Sequence, residues 1–160
     1  VLSMIGRYLD GVVPEPPAPE EGTDSEDALV AVQKEAFDGM VMGIDGVAPH
    51  EALRSCWKFV RKANAYVEEI TPWALAKDPD QKRRLEVVLY MLADSLRLLS
   101  LMTCSIMPNT AQQLWERLGL EGDVADRRFD TDNKWLLLPA ARKVTQGEPL
   151  FPRVEEEKTA

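Results

Sequence analysis

From residue 24 to residue 118 the apolar positions recur every three or four residues, the spacing of one helix face. The first run starts behind Thr23, which with Glu26 forms a capping box for a helix over 24–43. Leu29, Val32, Ala36, Phe37 and Met40 give it a face, and Gly43 and Gly46 mark its end and turn. Pro49 suits the first turn of a second long helix over 49–70. Leu53, Trp57, Val60, Asn64 and Val67 recur along it as a seam. Asp78, Pro79 and Gln81 supply an N-cap, a first-turn proline and a capping-box partner for a helix over 80–105. That helix reads as strongly amphipathic through Leu85, Val88, Leu89, Leu92, Leu96 and Leu99. Pro108 opens a shorter helix over 109–118, closed by Gly119. Residues 1–9 read as the end of another helix. With no strand-like alternation, the pattern predicts an all-α, five-helix bundle. The helices at 49–70 and 80–105 are its expected core pair.

Two stretches escape the pattern. "VVPEPPAPEEG", residues 12–22, is a Pro-rich connection, because proline removes N–H donors and fixes φ. Beyond Gly119 the period fails. "NKWLLLPA" is a short apolar segment and "GEPLFPRVEEE" an extended tail, so 120–160 is expected to wrap back irregularly over the bundle. The whole of 1–160 reads as one domain. It opens on "VLSMIGRY", without an initiator Met and already in helical spacing. That predicts a segment of a longer polypeptide, truncated in its N-terminal helix.

Composition narrows the function classes. At 160 residues and 45% hydrophobic content the chain can bury one real core. No apolar run reaches the roughly 20 residues that span a bilayer, and Arg7 and Asp10 break up any signal-like start. Cys56 and Cys104 lie in helical patterns and read as free, buried thiols of a cytoplasmic protein. A net charge of −8 argues against a general nucleic-acid binder. Six of the acids, however, lie in 15–27 with no basic residue, and 155–158 adds a net −2. The remainder sums to zero, and a neutral body can still carry a basic patch.

Catalytic chemistry is missing. The single histidine, His50, reads as a solvated first-turn residue. The chain carries no Gly-rich phosphate loop, Cys–His metal spacing or nucleophile elbow. Glu68 and Glu69 are adjacent and point to different parts of the helix surface. No catalytic residue and no metal ligand set is therefore assigned.

Three features remain. Trp73 follows Pro72 in "ITPWALAK", residues 70–77, an elbow between two long helices. It is either a core anchor of the elbow or a stacking platform for a flat ligand such as an unstacked base. Asn64 is either a structural amide or one that orders the elbow or reads a base edge. Arg54, Lys58 and Arg61 share a helix face, with Lys62 and Lys77 nearby. They form a solvated face or a phosphate-binding stripe. Lys82, Arg83 and Arg84 crowd a helix start, against its dipole, which suggests that positive charge is wanted there for something else.

Taken together, "NAYVEEITPWALAK" resembles the anticodon-binding domain of class I methionyl-tRNA synthetases. In that family an Asn-x-Tyr segment ends a helix and runs into Pro-Trp-x-x-x-Lys. "RYLDGVVP" is similar to the helix end and exit loop that open the domain, "MPNTAQQLWERLGL" to a later helix, and "PLFPRVE" to its closing segment. The four segments stand in the right order over essentially the whole chain.

The resemblance implies a recognition module of a longer ligase that joins methionine to its tRNA using ATP and Mg. The partners implied are the CAU anticodon loop of methionine tRNA and the ligase's own catalytic domain, with no membrane. Trp73 matches the residue that stacks on the first anticodon base, a cytosine, and Pro72 the residue that shapes that contact. Asn64 and Lys77 match polar positions close to the loop. An Asn and an Arg one turn apart, which the family also uses, would precede Val1. This chain would then hold no cofactor and catalyse nothing by itself. The rivals are the anticodon-binding domain of a cysteine, leucine, isoleucine or valine enzyme, and a helical protein-interaction module.

Overall fold

The computed structural model describes residues 1–151. In chain order the helices are α1 (Leu2–Tyr8), α2 (Asp24–Asp45), α3 (Pro49–Ile70), α4 (Pro72–Leu75), α5 (Lys82–Thr103), α6 (Pro108–Arg117) and α7 (Phe129–Asp132). Short 3₁₀ turns occupy Pro19–Glu21, Pro79–Gln81 and Val124–Asp126. The five expected helices are α1, α2, α3, α5 and α6. The single turns α4 and α7 are additions, too short to carry a period. Among the described residues no strand forms, and one isolated bridge pairs Val12 with Lys143.

The local signals act largely as the sequence suggests. Thr23 and Glu26 close the capping box of α2, with Thr23 N donating to Glu26 Oε2 at 2.8 Å. Pro49 and Pro108 occupy first-turn positions. Gly119 ends α6 at φ +73 and sits where a Cβ would meet the Lys143 carbonyl at 2.7 Å, so only glycine fits there. At the start of α5, Asp78 caps the 3₁₀ turn by accepting from Asp80 N, and the helix proper begins at Lys82.

Packing departs from expectation in three places. The most extensive helix pair is α2 with α3, whereas α3 with α5 was expected. Glycine explains it: a Cβ at Gly43 would lie 2.6 Å from Ala52 N, so α2 and α3 approach at backbone distance. The second departure is α5, which is central instead of amphipathic, with 17 of its 22 residues buried. Its polar face is covered by the C-terminal segment. Buried Asp94 and Arg97 pair at 2.5 Å, and Arg97 also donates to the carbonyls of Asp132 and Lys134. Asp94 Oδ2 accepts from Leu136 N, and Tyr90 donates its hydroxyl proton to the Leu138 carbonyl. The third is the seam of α3. Ala52, Cys56, Phe59 and Tyr66 are buried, while Trp57 and Asn64 face solvent.

The wrap holds to the bundle as far as Gly147, which lies against Arg117, and Phe151 is exposed. Val13 N reaches Arg142 O, Ala141 N reaches Val13 O, Val144 N reaches Gly11 O, and Thr145 N reaches Arg117 O. The C-terminal run thus pairs with the exit of α1 and the end of α6. In the closing Phe-Pro-Arg, Pro152 and Arg153 lie outside the described residues.

Candidate nucleic-acid interface

The elbow is built from strong local punctuation. Thr71 caps α3 in the left-handed region at φ 49, and its N–H reaches Val67 O at 3.0 Å. A β-branched residue there is a genuine outlier, held by its surroundings. Pro72 then starts the single turn α4, because its fixed φ suits a first helical position. Ala74 N returns to Thr71 O and Ala76 N to Pro72 O, which closes the turn. The side chains sort by face. Pro72 is buried, and Leu75 and Ala76 pack against the core. Trp73 and Lys77, one turn apart, point out.

Trp73 is 45% exposed. A core anchor of that size would be enclosed, as Trp115 is at 5%. Burying a ring gains on the order of 25 cal/mol per Å² of apolar surface, and this ring forgoes much of that gain. It stands instead on a buried proline at the apex of a closed turn, free to accept a planar partner.

The other candidates separate into two groups. Lys77 shares the elbow with Trp73. Asn64 is exposed on α3, nearly two turns before the helix ends. Arg54 and Arg61 gather further back, with His50 and Leu53 around Trp57, along a shallow depression. Trp57, 40% exposed, is a surface aromatic that the seam reading took for core. Its signal was available: it lies in phase with Asn64 and Arg61, within a stripe of cations. Arg54 is tied to Glu51 at 2.9 Å, an exposed pair of small worth. Among the described residues Lys58 and Arg61 have no ion-pair partner.

Of the three cations crowding the start of α5, Arg83 and Arg84 serve the scaffold. Arg83 grips Glu21 with two nitrogens at 2.6 Å, and the Glu21 carboxyl is pulled down to about 2 by that contact. Arg84 reaches Glu26 at 2.8 Å. This answers the expectation that the charge there was wanted elsewhere: it ties the Pro-rich connection and the start of α2 to α5.

No metal-binding group of three or more His, Cys, Asp or Glu side chains occurs among the described residues. His50 is solvated. Cys56 is buried, with burial pushing its thiol up to about 11, and Cys104 is half-buried; neither is a reactive thiolate at neutral pH. No helix among the described residues is long and apolar enough to cross a membrane.

Comparison with known proteins gives consistent results. A family model described as the anticodon binding domain of methionyl tRNA ligase matches residues 16–160. A methionine–tRNA ligase from Caldanaerobacter subterraneus is 37% identical over 157 residues, covering 98% of this chain and 24% of the relative. One from Streptomyces coelicolor is 35% identical, covering all of this chain and 30% of the relative. The chain thus spans only 24–30% of their length. Among solved structures, the free-state methionyl-tRNA synthetase of Mycobacterium tuberculosis superposes with a TM-score of 0.84 at 27% identity. It covers 97% of this chain and 30% of that one. An all-α bundle with an outward-facing Pro-Trp elbow, matched in sequence over nearly its whole length, belongs to the family of methionyl-tRNA ligase anticodon-binding domains.

Proposed function

We propose that this domain reads the CAU anticodon loop of methionine tRNA on behalf of a longer, cytoplasmic enzyme that joins methionine to that tRNA. ATP and Mg would be handled by the rest of that enzyme, since the sequence has no Gly-rich phosphate loop and the described residues hold no metal-binding carboxylate cluster. Residues 1–160 would serve as its recognition module.

The observation that carries this reading is the exposed indole of Trp73 on buried Pro72. Single-stranded RNA is read by splaying bases onto aromatic faces and pairing their edges with polar groups. Trp73 would take the first anticodon base, a cytosine, on its face, and Pro72 would fix the ring. Lys77 stands one turn away, where it can meet a phosphate or a base edge. Asn64 offers a donor and an acceptor for a base edge. Arg54, Lys58 and Arg61 would contact phosphates further along α3, with Trp57 packing among them.

The test is titration of the longer enzyme with a stem-loop RNA carrying CAU and one whose first anticodon base is changed. The CAU loop should bind about tenfold tighter, because any base can stack on the ring but only cytosine presents the edge the polar groups read, a discrimination of about 1–3 kcal/mol. Both affinities should fall steeply with salt. Equal affinity for the two loops would overturn the reading. A salt-independent interaction would instead indicate a protein partner. The 160-residue chain alone should support no methionine-dependent pyrophosphate exchange.

A further inference from the structure

Both helices that flank the elbow are tied to one buried carboxylate. Glu26, 4% exposed, stands in the first turn of α2. Its Oε2 accepts from Thr23 N at 2.8 Å and Thr23 Oγ1 at 2.5 Å. Its Oε1 accepts from the Tyr66 hydroxyl and from Arg84 Nη2, the latter at 2.8 Å. Tyr66, fully buried, lies one turn before α3 ends, and Arg84 lies in the first turn of α5. A neighbouring bond, Ser25 Oγ to Glu69 Oε1 at 2.5 Å, ties the same end of α2 to the last turn of α3. Between the two tied points the chain runs through Thr71, Pro72 and Trp73.

An ordinary capping box needs only the bond from Thr23 N, and the Thr23 hydroxyl adds a second on the same side. The remaining two reach across to the entry and the exit of the elbow. Burial pushes the Glu26 carboxyl up, but Arg84, Thr23 and Tyr66 together outweigh it and hold the group below the usual carboxylate value. The carboxylate is therefore charged at neutral pH and accepts from both sides. Tyr66 stays protonated, since burial and Glu26 both push its pKa up. A ring useful for stacking must be pre-set, because misplacing it by an ångström forfeits contact with the base.

We propose that Glu26 is the positioning residue of the RNA-reading elbow: bridging Tyr66 on α3 and Arg84 on α5, it fixes the direction in which Trp73 faces. Glu26 itself touches no RNA. The inference rests on the reading of Trp73 as a base platform.

The test is a double-mutant cycle in the longer enzyme, with CAU stem-loop affinity as the readout. Glu26→Gln keeps the shape and one acceptor but loses the charge on Arg84. Tyr66→Phe removes only the α3 tie and leaves the cap and the Arg84 pair intact, so it retains the fold even where Glu26→Gln does not. Each should weaken binding in the natural background, by about tenfold for Glu26→Gln and about threefold for Tyr66→Phe. Each should cost almost nothing further once Trp73 is Ala. The indole N–H resonance of Trp73 should shift in both variants before RNA is added. If Trp73→Ala weakens binding yet both effects persist undiminished beside it, Glu26 acts elsewhere and the positioning claim falls while the reading of Trp73 stands. If Trp73→Ala leaves CAU binding unchanged, the reading fails and the positioning claim with it. An unmoved Trp73 resonance in Tyr66→Phe also overturns the positioning claim.

Discussion

The elbow at 70–82 and the wrap at 120–147 are both irregular, and both hang from α5 by a buried carboxylate. Glu26 ties the elbow through Arg84, and Asp94 ties the wrap through Arg97 and Leu136 N. They differ in where they send their aromatic rings. The wrap turns Trp135 inward, edge-on to Phe59 at 6.0 Å, and Phe129 edge-on to Phe37 at 5.8 Å. The elbow turns its one ring out. An irregular segment that buries its rings lowers the free energy of its own fold. One that holds a ring outside at the end of a rigid turn forgoes that gain, and the ring is available for a ligand. The two regions should accordingly respond in opposite ways to mutation.

The wrap should show the largest effects, and all of them in stability. Arg97→Ala leaves the Asp94 carboxyl, which burial already pushes up, buried without its cation, and should cost about 3–5 kcal/mol in urea melts. A loss below about 1 kcal/mol would mean that water replaces the pair and that the wrap is loosely held. Trp135→Ala should cost about 3 kcal/mol, toward the lower end for a large core ring because Trp135 is partly exposed. Neither change should alter the preference for a CAU loop once the fold is intact.

Acid should act on the elbow side. Glu21 and Glu26 both titrate lower when folded than when unfolded. A depressed carboxyl contributes stability above its unfolded pKa, near 4.5, and that contribution is lost as pH falls through the folded value. For Glu21 the window runs from 4.5 down to about 2. Stability should hold above pH 5 and decline below 4.5, and Glu26→Gln should flatten that decline. An unchanged acid limb in Glu26→Gln would show that the carboxylate gains nothing from Tyr66 and Arg84.

The smallest effect belongs to the stripe on α3. Replacing Lys58 or Arg61 by Gln should leave folding within about 0.5 kcal/mol, because both side chains are exposed and unpaired among the described residues. Each should reduce the slope of log affinity against log salt by about 0.7–0.9 if it meets one phosphate. An unchanged slope in both would remove the stripe from the interface.

Much of this was legible in sequence, for identifiable reasons. Caps and prolines act locally, so Thr23–Glu26, Pro49 and Pro108 located helix starts and Pro72 the end of α3. The seam of α3 was read one residue out of register. Both 53-57-60-64-67 and 52-56-59-63-66 obey a four-three step, and Trp57 drew the choice toward the first. The true seam runs through small residues such as Ala52 and Cys56, where Gly43 lets α2 come close. That selection depends on a partner helix and leaves no mark on the period of α3 alone. The polar face of α5 was hidden for the same reason. Asp94 and Arg97 lie outside the leucine-rich face read from the sequence, and a segment some 40 residues away covers them. Glu26 showed only as a cap, because Tyr66 and Arg84 reach it from distant parts of the chain. The elbow carried the clearest mark, a large ring placed by a proline where a polar turn would suffice.

The central claim, that the elbow's ring faces out to read RNA while the wrap's rings face in to hold the fold, meets its most direct test in Trp73→Ala. Affinity of the longer enzyme for the CAU stem-loop and the urea-melt stability of the 160-residue domain should be measured for that one substitution. The expected result is a loss of about 1–3 kcal/mol in binding, the worth of one stacked base, with less than about 1 kcal/mol lost in stability. A loss of about 3–5 kcal/mol in stability, as for a buried ring, with CAU binding unchanged, would contradict the account and make Trp73 a core anchor.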